Sequence, residues 1–275
     1  MKPEARHVGV FDSGVGGLSV LRALRAELPG VRFTYLADSL HAPYGERGAD
    51  WVAKRSQAIV QWLRQVHRID ALVVACNTAT ALAIDGLRTR HADLPIVGVE
   101  PAIKPAAELS ASGHVGVLAT RGTLGSDRYR ALRQRLEAAA GRPLHIHDQP
   151  CDGLAGAIER DDAEAIERLG LQHVTTVRLA TPALDTLVLG CTHYPFATEV
   201  LQRAAGPGVR LVDTGEAVAR RTRQVLGLEA AAHGQPPLAG SVLLTTGEPE
   251  ALTAAARRWL GWHGEARRVV VPDAA

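Results

Sequence analysis

Leu72-Val73-Val74-Ala75-Cys76-Asn77-Thr78 is echoed further along the chain by Leu187-Val188-Leu189-Gly190-Cys191-Thr192-His193. Each stretch is an aliphatic run, a small residue, a cysteine and two polar residues, with a helical stretch behind it. A short aliphatic run without polar alternation fits a strand covered on both faces, which is the habit of parallel sheets. In such sheets ligands bind beyond the carboxyl ends of the strands, and both cysteines fall there. Two similar domains facing each other would bring them to one cleft.

The rest of the chain repeats this rhythm. Further strands are predicted at Val8–Phe11, Phe33–Ala37, Ile96–Val99, Val115–Ala119, Leu144–His147, Val209–Val212, Val242–Thr245 and Arg268–Val271. Between them lie amphipathic stretches. Leu18, Leu21, Leu24 and Leu28 share one helix face, as do Val52, Ile59, Val60, Leu63 and Val66. Alternation of strand and helix predicts βαβ units and mainly parallel sheets. No proline-rich, serine-rich or highly charged linker divides the chain. Pro95, Pro101 and Pro105 bracket one crossing near residue 100, and Gly206-Pro207-Gly208 offers a second near residue 207. The expected arrangement is a first α/β domain built from residues 1–98 and 208–275, with 99–207 inserted as a second.

Composition agrees with this class. The 275 residues are 46% hydrophobic and 22% charged, a globular balance. Only 11 are aromatic, so the core is aliphatic. The net charge of +2 is no nucleic-acid signal. Lysines number three against 28 arginines, and none sits in a motif-like setting, which leaves few candidates for Schiff-base chemistry. The start, Met1-Lys2-Pro3-Glu4-Ala5-Arg6-His7, is polar, and no run approaches the roughly 20 apolar residues of a membrane span. A cytoplasmic protein without membrane or nucleic-acid partners is expected. Its three cysteines, Cys76, Cys151 and Cys191, are then reduced thiols.

Each cysteine taken alone could be a small buried apolar residue, and Cys151 is read that way. For the echoed pair, a strand-end position at a helix N-terminus would favour the thiolate. Phe11-Asp12-Ser13-Gly14-Val15-Gly16-Gly17-Leu18 opens a helix after the first strand, but fits neither the dinucleotide fingerprint nor a Walker loop. It is a tight turn, or a loop where Asp12 meets a cation and the amides meet an anion. Asp38-Ser39-Leu40-His41-Ala42-Pro43-Tyr44-Gly45-Glu46-Arg47 is a long polar loop in which Tyr44 offers a hydroxyl. His193, two residues after Cys191, could orient or activate that thiol. Two thiols without a metal triad or cofactor fingerprint suit dithiol redox exchange if they are within disulfide reach. If they stand further apart, they suit proton transfer on the two faces of one carbon.

Asp12-Ser13-Gly14 with Gly16-Gly17-Leu18, Pro43-Tyr44-Gly45, Cys76-Asn77-Thr78, Gly116-Val117-Leu118-Ala119-Thr120, Gly190-Cys191-Thr192-His193-Tyr194-Pro195 and Val212-Asp213 resemble, in order, the motifs of the glutamate racemases, in the cofactor-independent aspartate/glutamate racemase superfamily. The resemblance implies two pseudo-symmetric α/β domains, an active site in the cleft between them, and a homodimer. It implies two-base racemisation of L- and D-glutamate that supplies D-glutamate for peptidoglycan, with no cofactor and no metal. Cys76 would act on the D-enantiomer and Cys191 on the L-enantiomer. Asp12 would assist Cys76, while His193 and Glu159 would assist Cys191. Substrate contacts carried over are Asp12, Ser13, Tyr44, Gly45, Asn77, Thr78, Thr192 and His193. The alternatives are a racemase for aspartate or another amino acid in the same superfamily, or a non-catalytic α/β small-molecule binder.

Overall fold

The computed structural model describes residues 6–229 and 240–273. Most of the polar start, Met1 to Ala5 with Lys2, lies outside the described residues, as do parts of the 208–275 segment.

The chain runs as strand and helix in alternation. Its first unit contains β1 (His7–Asp12), α1 (Leu18–Glu27), β2 (Arg32–Ala37), α2 (Ala49–His67), β3 (Ala71–Val74), α3 (Asn77–Arg90) and β4 (Ile96–Gly98). The second contains α4 (Ile103–Leu109), β5 (His114–Ala119), α5 (Arg121–Leu124), α6 (Asp127–Ala139), β6 (His145–Pro150), α7 (Leu154–Glu159), α8 (Ala163–Ala180), β7 (Thr186–Leu189), α9 (Thr198–Ala205) and β8 (Arg210–Val212). The chain then returns to the first through α10 (Gly215–Val225), β9 (Val242–Thr245), α11 (Pro249–Leu260) and β10 (Arg267–Arg268).

Two sheets result, in the orders β10-β9-β2-β1-β3-β4 and β6-β5-β7-β8. Every pairing described is parallel. Strands β1, β3 and β7 are buried along their whole length, as aliphatic strands between two helical layers must be. The order β2-β1-β3-β4 recurs as β6-β5-β7-β8, so the sheets are topological copies. Register sharpens the match. Val8 pairs Ala71 and Phe11 pairs Val74 in one sheet; Val115 pairs Thr186 and Leu118 pairs Leu189 in the other. Counting forward along each strand, Cys76 corresponds to Cys191, Thr78 to His193, and Ser13 to Thr120.

Near the expected boundary at residue 207, β8 pairs β7 through Thr186↔Arg210 and Val188↔Val212, so residues 210–212 belong to the second sheet. Gly206-Pro207-Gly208 is only the turn from α9 into β8; its Gly206 holds φ +83°, a conformation open to glycine. The return crossing falls at Asp213-Thr214, after which α10 packs on α1 of the first unit. The last predicted strand is also shorter than Arg268–Val271. Val269 donates to Thr245 and the chain then leaves the sheet, with the Val271 carbonyl accepting from Arg55.

Among the described residues no helix is long and apolar enough to cross a membrane.

Candidate active site

Cys76 is the residue before α3, and its sulfur accepts from the Ala79 amide at 3.4 Å. Its thiol donates to Ser13 Oγ at 3.7 Å, and Ser13 donates from both its amide (2.6 Å) and its hydroxyl (3.2 Å) to Asp12 Oδ1. Asp12 is fully buried at the end of β1. Burial raises its carboxyl above the usual range, against the pull of His193 and of the Thr192 hydroxyl. Cys76 departs from the expected activated thiolate. Burial first, and then the neighbouring Asp12 charge, push its thiol well above the usual value despite the Ala79 amide. A helix N-terminus lowers a thiol only where desolvation does not outweigh it.

Cys191 follows β7 but opens no α-helix directly. A short 3₁₀ turn, Tyr194–Ala197, separates it from α9. Its sulfur lies 3.7 Å from His193 Nδ1. His193 Nε2 is 2.8 Å from Glu159 Oε2. A carboxylate only accepts, so Nε2 carries hydrogen, and Nδ1 either accepts from the Cys191 thiol or donates to its thiolate. Burial would lower the His193 pKa, but its bonds to Cys191 and Glu159 prevail and hold it well above the usual value. Glu159 is the counterpart. Burial would raise it, yet the His193 contact, the Val15 amide and the Ser39 hydroxyl hold it below the usual range.

The two halves form one network. Thr192 Oγ1 donates to Asp12 Oδ2 at 3.0 Å, Ser19 Oγ lies 2.8 Å from the Thr192 carbonyl, and Thr78 Oγ1 lies 3.0 Å from Thr120 Oγ1. Each of these bonds crosses between the units. All three cysteines are free thiols. Cys76, Cys191, Asp12, Thr78, Thr192 and His193 are each at most 7% exposed, so chemistry here is shielded from water.

The glycine loop serves this network by omission. A Cβ on Gly14 would stand 2.1 Å from the Glu159 carboxylate, and one on Gly16 would stand 2.3 Å from His193 Nδ1. The anion met by the loop is internal: Val15 N–H donates to Glu159 Oε2 at 2.8 Å.

The structure thus brings together Asp12, Ser13, Cys76, Glu159, Cys191, Thr192 and His193. Asn77 is buried beside Cys76, and neither atom of its amide has a hydrogen-bond partner among the described residues. Gly45 lies against the second unit, where a Cβ would meet Thr120 at 2.7 Å. Tyr44 donates its hydroxyl to Asp38 Oδ2 at 2.7 Å inside a buried cluster with Arg55. Cys151 is buried, its thiol bonded to the Gln149 carbonyl. The sequence analysis gives no site role to Ser39, Ser19 or Thr120. Aligning Phe11-Asp12-Ser13 with Leu118-Ala119-Thr120 would have flagged Thr120, but Ser39 carries no such signal.

The Asp/Glu/Hydantoin racemase family matches residues 16–222. A glutamate racemase of Ralstonia pickettii is 45% identical over 97% of this chain and 92% of its own length. The crystal structure of a glutamate racemase isoform from Bacillus anthracis superposes with a TM-score of 0.83 at 30% identity, covering 98% of this chain and 99% of that one. The Escherichia coli glutamate racemase, in complex with L-glutamate and the activator UDP-MurNAc-Ala, gives 0.80 at 33% identity, covering 98% and 100%. With a family match over most of its length and relatives of this identity, the chain belongs to the Asp/Glu/hydantoin racemase family.

Proposed function

We propose that this protein interconverts L- and D-glutamate by two-base proton transfer between Cys76 and Cys191, without a cofactor, and so supplies D-glutamate for peptidoglycan. The observation that carries the reading is the pair of free thiols at equivalent strand ends of two copied sheets, joined by one buried hydrogen-bond network. The relatives named glutamate racemase supply the substrate.

In the form that takes L-glutamate, Cys76 is a thiol and Cys191 a thiolate. The α-carbon–hydrogen bond breaks toward Cys191, and Cys76 delivers its own proton to the opposite face. D-Glutamate leaves an enzyme with the two protonation states exchanged, which is the form that takes D-glutamate. Burial keeps Cys76 protonated for its donor role. His193, charged and backed by Glu159, faces the Cys191 sulfur and stabilises its thiolate. The amides and hydroxyls of Asn77-Thr78 and Thr192-His193, with Ser13 and the Tyr44-Gly45 segment, donate to the substrate and stabilise the charge that develops on its carboxylate, while Asp12, an acceptor, meets its ammonium group. Homodimeric assembly and a cytoplasmic location belong to the same reading and rest on the resemblance.

A chiral assay of purified protein against each amino acid, without added pyridoxal phosphate, tests this. Racemisation of glutamate well above aspartate is the expected result. Preference for aspartate would move the protein to a sibling activity, and no turnover of any amino acid would leave only a binder.

A further inference from the structure

Glu159 Oε2 is occupied by His193 and by the Val15 amide. Its other oxygen, Oε1, accepts from Ser39 Oγ at 2.8 Å. Ser39 belongs to the first unit and Glu159 to the second, so this bond joins the two units. It is also a bond whose donor has little freedom. Asp38, the residue before Ser39, is fully buried and gripped by Arg55 through Nε to Oδ2 (2.9 Å) and Nη2 to Oδ1 (2.8 Å). The Tyr44 and Thr246 hydroxyls donate to the same carboxylate at 2.7 and 2.9 Å. The residue after Ser39, Leu40, donates its amide to Thr246 Oγ1 at 3.2 Å. Gly247 backs the serine so closely that a Cβ there would stand 3.0 Å from Ser39 Cβ. A buried bidentate arginine–carboxylate pair is rigid as well as strong. The serine is therefore presented to Glu159 by fixed neighbours on both sides.

We propose that Ser39 is a positioning residue for the Cys191 half of the reaction. It fixes the plane of the Glu159 carboxylate from the opposite unit, and through that carboxylate it aims His193 at the Cys191 sulfur. The inference rests on the two-base reading above. Without the hydroxyl, Oε1 loses this donor and the carboxylate can turn about its last bond. His193 Nε2 then follows, and Nδ1 no longer stays aligned with the thiol. Cys76, held by Ser13 and the Ala79 amide, is untouched by this change.

The test is a double-mutant cycle with isotope effects. Ser39→Ala should lower kcat/KM about three- to tenfold, the loss of one hydrogen bond to a charged, partly exposed acceptor. It should add nothing further in a Glu159→Gln background, because residues acting through one contact are not additive. The primary α-deuterium effect on kcat/KM should rise for L-glutamate, whose hydrogen leaves toward Cys191, and fall for D-glutamate. Leu40→Ala alters the same turn without touching Glu159 and should leave both isotope effects unchanged. Additive losses in the double variant, equal movement of the two isotope effects, or a rise for D-glutamate would each overturn the proposal. If wild-type protein racemises no glutamate, the functional reading itself falls.

Discussion

The halves around Cys76 and Cys191 share a backbone and differ in chemistry. Both cysteines stand two residues beyond a central strand, at the same register in copied sheets. Yet where the second half has His193, bonded to Cys191 and Glu159, the first has Thr78, bonded to Thr120 of the other unit. Where the first has Ser13 against its thiol, the second has Thr120, turned toward the other unit. Duplicated topology puts the two sulfurs at equivalent strand ends. Unlike neighbours then make one thiol reluctant to ionise and surround the other with a charged imidazole. Each two-base turnover begins with one thiol and one thiolate, and these neighbours favour the form in which Cys76 holds the proton, the one that takes L-glutamate.

The largest expected effect comes from removing either sulfur. Cys76→Ala and Cys191→Ala should each lose racemisation by roughly 10²- to 10⁴-fold, the range for a lost acid/base group. In D2O, Cys191→Ala should still exchange the α-proton of D-glutamate slowly and not that of L-glutamate. Cys76→Ala should show the reverse, followed by NMR of the α-proton. Near wild-type racemisation in either variant would break the comparison, because one base would then suffice.

That the sulfurs form a pair was legible in the sequence, because the Leu72–Thr78 and Leu187–His193 stretches match residue for residue in character. So was the fold class, since aliphatic runs between amphipathic stretches leave little but parallel α/β. The Cys76 environment was not legible. Position at a helix start is local, whereas the burial that raises the thiol depends on everything folded over it. The sheet that β8 joins was not legible either, because a three-residue edge strand looks the same wherever it pairs. Tyr44 reads as a loop hydroxyl until Asp38 and Arg55 are seen beneath it. Ser39 and Glu159 meet only through the docking of the two units, which no sequence period encodes.

Next in size is the His193–Glu159 pair. His193→Asn or Glu159→Gln should lower kcat/KM by about tenfold or more. The two enantiomers have equal free energy in water, so kcat/KM must fall by the same factor in both directions. The asymmetry between halves must therefore appear in kcat and KM separately, or in isotope effects. Unequal changes in kcat/KM would point to an assay error, and an unchanged kcat/KM would remove His193 from the Cys191 half.

The same pair gives a pH dependence of stability with a defined sign. His193 is raised above its ordinary 6.5, so its contribution is complete below that value and is lost as pH rises through the folded pKa. Glu159 is lowered below its ordinary 4.5, so its contribution is complete above that value and is lost as pH falls through the folded pKa. Wild type minus His193→Asn, measured by denaturant unfolding, should be greatest between these ordinary values and shrink on either side. A flat difference would show that the pair is not ionised in the folded protein.

A smaller effect is expected at the hydroxyls that join the two units. Thr192→Val removes the donor to Asp12, and Thr78→Val the partner of Thr120. Each should lower kcat/KM several-fold, on the scale of about 1 kcal/mol for one neutral hydrogen bond. Unchanged kinetics in both would mean that these hydroxyls join the units without serving the substrate.

Cys151 provides the smallest effect and the control for the whole comparison. It follows β6 as the Asp38 loop follows β2, so it occupies the strand end neighbouring the Cys191 half. It is as buried as the other two thiols, and burial raises it as it raises Cys76. Its hydrogen is committed to the Gln149 carbonyl at 3.4 Å, and its environment is the apolar cluster of Leu154, Ile158 and Tyr194. A thiol so placed contributes packing, and Cys151→Ala should cost about 1 kcal/mol in unfolding free energy for the lost sulfur. Glutamate racemisation should stay within a factor of two. A loss as deep as that of Cys191→Ala would mean that burial and a strand end are enough to enlist a thiol, and that His193 and Glu159 do not distinguish the second half. Retained activity would instead assign the difference among the three thiols to their partners: Ser13 and Asp12 for one, His193 and Glu159 for another, and a backbone carbonyl for the third.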